Sequence, residues 1–260
     1  MGQGMSTWLR WRRALRRNAL WRRYQLGIYN RYLREEGGWE YHLRCSRQRV
    51  LEFAERHSLQ SLTILGSGWL LDVPLDELAS ACQHVVLIDR YHPRQSVDFA
   101  RRYGNVELLE FDVTGGLEWV VPSRNNWQTY LERIQNLKPP ALPNTDGVVS
   151  LNLLSQLAMP IQERYANRIP EAVYAKAATM LETQHVALLS RYARWLLITD
   201  TEERHSLISS GSMLPSVKTV ISELPPLQNR KSWEWAFDSK GHYTVAHRVE
   251  LHVESGEGAS

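Results

Sequence analysis

The pattern of apolar and polar positions changes its period along the chain. In the first part, apolar residues recur at helical spacing. One predicted helix carries Trp21, Tyr24, Ile28 and Tyr32 on one side. Gly37-Gly38 interrupts this pattern, and a second helix is predicted from about Glu40 to Arg56.

From Leu62 onward, short apolar runs alternate with helical segments. The runs that predict strands are Leu62–Leu65, Val85–Ile88, Val106–Phe111, Gly147–Leu151 and Trp195–Thr199. The helices predicted between them are Leu75–Cys82, Pro93–Tyr103, Trp119–Leu137 and Ile161–Tyr192, the last with a break at Pro170. This alternation predicts a parallel sheet with right-handed crossovers and helices on both faces.

The end of the chain has a different pattern. Two apolar runs, Trp233–Phe237 and Tyr243–Val253, flank the turn Ser239–His242 and predict an antiparallel hairpin at the sheet edge. Residues 254–260 are polar and glycine-rich, so we expect them to fray.

Composition and charge add a second division. The chain has 260 residues, with 43% hydrophobic and 23% charged residues, which is ordinary for a globular protein. Residues 1–50 hold twelve arginines and three acids and carry +9, whereas the rest carries −6. This asymmetry predicts that the N-terminal segment is a separate physical unit.

No apolar run is long enough to span a bilayer, and arginines interrupt any secretory pattern. Cys45 and Cys82 show neither metal-site nor disulfide spacing, so the sequence predicts a reducing cytoplasm, with peripheral contact to a membrane left open.

Candidate chemistry lies where the predicted parallel strands end. Gly66-Ser67-Gly68 directly follows the first strand, and glycines there allow a tight turn and close approach of a ligand. Asp89 ends the second strand 21 residues after Gly68, where an acid can accept hydrogen bonds from ribose hydroxyls. Asp112 ends the third strand. The alternative explanation is that loops favour Asp and Gly in any case.

The ligand predicted from these positions is a nucleoside without phosphates. A dinucleotide fingerprint requires a third glycine where this chain has Leu71. The chain also has no Gly-Lys-Ser/Thr phosphate loop.

The segment from Leu62 to Val253 resembles class I S-adenosylmethionine-dependent methyltransferases. Gly66-Ser67-Gly68 is similar to their first motif, Asp89 to their ribose-binding acid and Asp112 to their adenine-contacting acid. Asp146–Gln156 resembles their fourth strand with the start of the catalytic loop, and Trp233–Val253 their reversed seventh strand. Many members place an acid two residues before the first glycine, where this chain has Ile64; Asp72, just beyond the loop, is a candidate replacement.

The resemblance implies a site and a cofactor. The implied binding residues for S-adenosyl-L-methionine are Gly66, Ser67, Gly68, Trp69, Asp89, Arg90, Asp112 and Val113. Asn152, Ser155 and Gln156 follow the fourth strand and are the catalytic candidates, with capping of the next turn as the alternative role. The motif of amine-directed nucleic-acid methyltransferases, Asp-Pro-Pro-Tyr, is absent.

The histidines give weaker signals. His185, on the last long helix, is a candidate base, although packing is the commoner role for a helical histidine. His242, His247 and His252 alternate between the faces of a strand, so no metal site is predicted.

The basic segment, residues 8–34, has three candidate roles. Arginines with aromatic residues suit nucleic acid, an anionic membrane surface, or a helical cap over the cofactor pocket.

The sequence therefore predicts an α/β protein with a Rossmann-like, mostly parallel seven-stranded sheet. Its predicted parts are a basic helical extension (1–48), a methyltransferase-like domain (49–254) and a flexible tail (255–260). The expected function is methyl transfer to an unidentified acceptor. The alternative is an inactive binding module that acts through the basic extension.

Overall fold

A computed structural model describes residues 21–122, 126–165 and 168–259 of the chain. Its helices are α1 (residues 21–34), α2 (Glu40–Arg56), α3 (Leu75–Ala81), α4 (Arg94–Ala100), α5 (Trp127–Gln135), α6 (Met159–Tyr165) and α7 (Glu171–Leu189). Short 3₁₀ turns occupy Leu117–Trp119 and Leu154–Gln156.

The strands form one mixed sheet. They are β1 (Ser61–Leu65), β2 (His84–Asp89), β3 (Val106–Glu110), β4 (Gly147–Leu151), β5 (Arg194–Leu207), β6 (Val217–Lys218), β7 (Gln228–Asp238) and β8 (His247–Ala259). Their order is β3-β2-β1-β4-β5-β8-β7, and β6 pairs with β5 beside this path. The first five strands are parallel, and β8 is antiparallel to both of its neighbours.

Helices cover both faces of the sheet, as the sequence predicts. Along β2, Val85 and Leu87 belong to one buried cluster, whereas Val86 and Ile88 belong to the other. The first cluster packs under α2, α3 and α4, and the second packs under α5, α6 and α7. Because both faces are buried, the parallel strands are apolar throughout rather than alternating.

The predicted parallel half agrees with the structure apart from the ends of elements. The long helical segment does break at Pro170, which directly precedes α7. The helix predicted over Trp119–Leu137 is shorter, because α5 begins at Trp127, where Asn126 caps the Thr129 amide at 3.1 Å.

The antiparallel half is larger than the sequence indicates. The fifth strand, predicted to end at Thr199, continues to Leu207, and it pairs with β8 along its length past an irregularity between Asp200 and Glu202. β7 likewise begins at Gln228, before the predicted Trp233.

The expectation of a frayed tail is wrong for residues 254–259, because β8 continues to Ala259. Two glycines allow this close packing: a Cβ on Gly258 would lie 1.9 Å from the Trp195 ring, and one on Gly256 would lie 2.5 Å from Leu227. The buried Arg49 also donates to Ser255 Oγ at 3.0 Å. The polar end is thus a central strand.

Arg49 also bears on the predicted division between residues 48 and 49. That boundary falls within α2, whose Leu43, Val50 and Phe53 are buried in the same cluster as the sheet. α2 therefore packs as part of the α/β core.

Candidate functional site

The glycine turn after β1 begins at a position where only glycine fits. Gly66 has φ +87°, and a Cβ there would lie 2.5 Å from the Leu151 carbonyl oxygen. The amides of Gly66 and Ser67 both donate to the Ile88 carbonyl, at 2.9 and 3.3 Å. The turn is therefore fixed between the carboxyl ends of β2 and β4.

Asp89 is bonded to this turn. Its Oδ2 accepts from the Gly68 amide at 2.9 Å, and its Oδ1 accepts from the Arg90 amide at 2.6 Å. Burial raises the pKa of Asp89 to about 6, although these backbone bonds act in the opposite direction. Gly68 and Asp89, singled out separately in the sequence, thus adjoin at one point of the edge.

Asp112 joins the same edge through Arg90. The Arg90 guanidinium forms ion pairs with Asp112 and Glu118, and Asp112 Oδ1 accepts from the Thr114 amide at 2.9 Å. Val113 is buried in the core under α5. Arg90 and Asp112 lie at the edge, but their charges are paired with each other.

Ser67 makes a contact that the sequence did not indicate. Its Oγ lies 2.9 Å from His92 Nε2, and both side chains are buried. Burial lowers the pKa of His92 to about 4, so the ring is neutral at pH 7. Ser67 is thus bonded within the protein, and no motif in the sequence identifies His92 as its partner.

Helix α1 lies over the glycine turn. Trp69 Nε1 donates to the Gln25 carbonyl at 2.6 Å, and the Trp69 ring stacks on Tyr29 with centroids 4.3 Å apart. A Cβ on Gly68 would lie 2.9 Å from Gln25 Oε1. The Trp21 ring lies over the Arg90 guanidinium at 4.6 Å. The described part of the basic segment therefore covers this edge and turns its aromatic residues inward.

A cavity of about 390 Å³ lies beside α1, between that helix and the loop after β2. Arg22, Gln25 and Leu26 line it on the α1 side. Trp69 and Tyr91 line the opposite side. The cavity adjoins the predicted cofactor-binding residues.

Asn152 follows β4 in an unusual backbone conformation, with φ +47°. Its Nδ2 donates to Asp72 Oδ2 at 2.7 Å and lies 3.3 Å from His42 Nε2. Its Oδ1 is buried without a hydrogen-bond partner among the described residues. Asp72, the candidate replacement for the missing acid, thus lies next to a catalytic candidate.

Ser155 and Gln156 bond to neighbouring protein groups. Ser155 Oγ donates to Asp200 Oδ1 at 2.6 Å, and Gln156 Nε2 donates to the Asn152 carbonyl at 2.7 Å. Burial raises the pKa of Asp200, and the Ser155 bond opposes that shift. These contacts hold the loop after β4 against β5, and the sequence did not single out Asp200.

His185 is part of α7 and is buried in the core, where it lines a small cavity with Val113 and Thr114. Its Nε2 is 2.8 Å from Ser150 Oγ, and burial lowers its pKa to about 4. His185 is therefore a neutral packed residue. In the described ranges there is no cluster of histidine, cysteine and acidic side chains that could hold a metal ion.

Over the same ranges, no helix combines the length and the apolar character needed to cross a bilayer. Residues 8–20 of the predicted basic segment lie outside the described residues.

Comparison with known proteins gave similarity at the level of solved structures. No family model and no curated protein matches the sequence. The N-methyltransferase NodS from Bradyrhizobium japonicum matches at 9% identity and TM-score 0.40, over 87% of this chain and 99% of that one.

Two further matches are solved with a cofactor or its product. The 1,6-didemethyltoxoflavin-N1-methyltransferase of Burkholderia thailandensis, with S-adenosylhomocysteine, matches at 12% identity and TM-score 0.40, over 94% of this chain and 91% of that one. The magnesium protoporphyrin IX methyltransferase of Synechocystis, with S-adenosylmethionine, matches at 11% identity and TM-score 0.37, over 83% of this chain and 79% of that one.

The fold is assigned from the order and direction of the strands in the sheet. The resemblance in the sequence implied a mostly parallel sheet with a reversed strand near its C-terminal end. The structure has five parallel strands in the order β3-β2-β1-β4-β5, followed by the antiparallel β8 and then β7. The chain therefore has the α/β fold of class I S-adenosylmethionine-dependent methyltransferases, with no subfamily resolved.

Proposed function

We propose that this protein is an S-adenosylmethionine-dependent methyltransferase. The observation that carries the proposal is the bond between the Gly68 amide and Asp89 Oδ2, at 2.9 Å. It joins the glycine turn to the acid after β2 at the carboxyl edge, where open α/β sheets bind their ligands.

The chemistry of these residues fits a nucleoside sulfonium. Asp89 supplies carboxylate acceptors for ribose hydroxyls, and Gly66 and Gly68 present backbone without side chains. The sequence has Leu71 where a dinucleotide fingerprint requires a third glycine, and it has no Gly-Lys-Ser/Thr phosphate loop. When bound, the cofactor supplies an electrophilic methyl group, so the protein needs to orient the acceptor and exclude water.

The loop after β4 would take the orienting role. Gly66 lies against Leu151 and Leu153, on either side of Asn152, so this loop borders the proposed cofactor site. Asn152 is the residue there with a buried oxygen that the described protein groups leave unpaired. Ser155 and Gln156 keep the loop in place through Asp200 and the Asn152 carbonyl.

Helix α1 would have to move when the cofactor binds. The Gln25 carboxamide lies close to Gly68, in the space through which a ligand would approach that backbone. Trp21 covers Arg90 beside Asp112. We therefore propose that α1 is a cap over the cofactor site and that its exposed Arg22 and Arg23 form a solvated face.

The same contacts favour a second candidate function, a binding module. If α1 stays in place over Gly68, the glycine turn is closed, and the basic residues 8–34 become the working surface for nucleic acid or an anionic membrane. In that case the methyltransferase-like domain would serve as a scaffold.

Calorimetric titration of the full chain with S-adenosylmethionine, S-adenosylhomocysteine and NAD distinguishes the two candidates. The enzyme hypothesis predicts micromolar binding of the first two and none of NAD, since Leu71 replaces the third glycine of a dinucleotide fingerprint. Absence of binding by both sulfur compounds would overturn it in favour of the binding module.

A further inference from the structure

A polar cluster joins α2, the loop after β1, the loop after β4 and β7; three of its members are buried and Asp72 is half-buried. It consists of His42, Asp72, Asn152 and Trp233, linked by contacts of 2.7 to 3.3 Å. The members come from four separate segments of the chain. A buried polar group costs free energy unless it is bonded, so each hydrogen in this cluster has to be accounted for.

The tautomer of His42 follows from its neighbours. Trp233 Nε1 can only donate, and it lies 3.1 Å from His42 Nδ1, which must therefore accept. Burial lowers the pKa of His42 to about 3, so the ring is neutral and its one proton is on Nε2. His42 Nε2–H thus points as a donor towards the Asn152 amide, 3.3 Å away.

This donor conflicts with the amide orientation that an ionised Asp72 requires. A carboxylate at 2.7 Å can only accept, so it requires Asn152 Nδ2 on its side, and that same Nδ2 then faces the His42 donor. If Asp72 is protonated, the amide can turn, and Oδ1 can accept from both Asp72 and His42. In the first orientation, Oδ1 is the amide atom that faces away from Asp72 and His42. In the second orientation, Nδ2 takes that place.

The backbone holds Asn152 in one position. Its φ of +47° lies in the left-handed region, which asparagine adopts more readily than other residues with a side chain. Its amide nitrogen is fixed to the Ile198 carbonyl at 2.8 Å and its carbonyl to Gln156 at 2.7 Å. Asn152 is 9% exposed, and its Oδ1 has no partner among the described residues.

We infer that Asp72 is a positioning residue whose ionisation state selects which end of the Asn152 amide faces the ligand. With Asp72 ionised, Oδ1 faces the ligand and accepts from an N–H of an amine or ammonium group. With Asp72 protonated, Nδ2 takes its place and that contact is lost. This inference rests on the proposed function for the identity of the ligand, but not for the coupling itself.

The groups around Asp72 define the pH range of the effect. Burial raises the pKa of Asp72 to about 6, while the Asn152 bond and the charge of Arg47 oppose the shift. Arg47 and His42, both on α2, are the charged and titratable side chains recorded around Asp72 and Asn152 in the described chain. Since His42 stays neutral, Asp72 alone changes charge in this cluster near pH 6.

The first test needs no ligand. The side-chain amide of Asn152 is followed by 15N NMR in the full-length protein from pH 7.5 to 5, with its signal assigned by its loss in Asn152→Ala. We expect a transition near pH 6 in the wild type, none in Asp72→Asn and an unchanged one in Asp76→Asn, a carboxylate of the same segment bonded to Tyr103 instead. An amide without a transition in the wild type, or with the same one in Asp72→Asn, would overturn the inference.

The second test identifies the source of the N–H. Binding of S-adenosylhomocysteine is compared with that of its analogue bearing hydrogen in place of the α-amino group. If the N–H belongs to the cofactor's ammonium group, Asn152→Ala should weaken the binding of S-adenosylhomocysteine about tenfold and leave the binding of the analogue unchanged. In the wild type, the ratio of the two affinities should then fall below pH 6. If both ligands bind Asn152→Ala as they bind the wild type, the N–H belongs to the methyl acceptor.

These two tests separate the two claims. Failure of S-adenosylhomocysteine to bind the wild type would contradict the proposed function, while the NMR titration would still decide whether Asp72 controls Asn152.

Discussion

In the loops after β1 and β2, polar side chains bond to groups that the chain reaches one strand later. Gly68 and Asp89 are 21 residues apart, and Ser67 and His92 are 25 apart. In the loop after β4, the partners are more distant in sequence: Ser155 bonds to Asp200 on the next strand, 45 residues later, and Asn152 bonds back across three strands to Asp72, 80 residues away. The first half of the edge therefore joins residues that are closer in sequence than those joined in the second half.

This difference assigns different roles to the two halves. The first half presents backbone and a carboxylate in the arrangement proposed for the cofactor. The second half fixes a loop through buried bonds to charged groups, which stabilise the fold as well as the site. Substitution of Asp89 in the first half should therefore change binding, and loss of the Ser155–Asp200 bond in the second half should change stability.

Asp89→Asn should have the largest effect and should act on binding. Loss of the carboxylate should weaken S-adenosylhomocysteine binding at least about a hundredfold, about 2.7 kcal/mol, measured by calorimetry. The matched control is Asp98→Asn, an exposed carboxylate on α4 paired with Arg94 and Arg101. Equal affinity of the Asp89 variant and the wild type would contradict the site.

The same variant has a stability signature. The pKa of Asp89 in the folded state is raised to about 6. The protonated carboxyl group therefore stabilises the folded state at low pH, and this stabilisation is lost as the pH rises through 6. The carboxamide that replaces the carboxyl group in the variant cannot titrate. As the pH is lowered from 7.5 to 5, we therefore expect the free energy of unfolding of the wild type to rise relative to that of the variant. Urea denaturation at both pH values measures this difference.

Ser155→Ala should have the next largest effect and should act on stability. Asp200 is buried, and removal of a hydrogen bond to its ionised form costs about 2 kcal/mol. Since the Ser155 bond opposes the rise in the pKa of Asp200, the loss of stability should increase as the pH rises. Ser80→Ala, on the exposed side of α3, is the control. A loss of cofactor affinity without a loss of stability would reverse the roles assigned to the two halves.

Trp21→Ala should have the smallest effect. The Trp21 ring contributes a contact to Arg90 worth about 0.5–1 kcal/mol, and that contact holds α1 over the edge. If α1 has to move, S-adenosylhomocysteine should bind about two- to fivefold more tightly to the variant, which is that energy expressed as an affinity ratio. Weaker binding would instead mean that α1 closes on the ligand and forms part of the site.

The sequence predicted the positions of the glycine turn and of the acid after β2 because their signals are local, while their role in binding a cofactor stays a prediction. Gly66, Gly68 and Asp89 occupy strand ends that follow from apolar runs, and parallel strands necessarily bring their carboxyl ends together. The pairing of Asp72 with Asn152 has no such signal, because it depends on how two loops 80 residues apart meet.

The C-terminal end differs from the prediction for a related reason. Gly256 and Gly258 are typical of a frayed terminus, but in β8 they leave room for Leu227 and Trp195. Close packing between residues that are distant in sequence depends on the tertiary structure. In the sequence alone, these glycines are compatible with a frayed end and with a closely packed strand.

Hydrogen exchange with and without S-adenosylhomocysteine tests the central claim most directly, because it locates the ligand on the edge. We predict slower exchange in the loops after β1, β2 and β3, centred on Gly66–Gly68 and Asp89–Arg90, and no such change in Asp89→Asn. Changed exchange restricted to other parts of the chain, or no change despite saturating ligand, would contradict the assignment of a cofactor site to this edge.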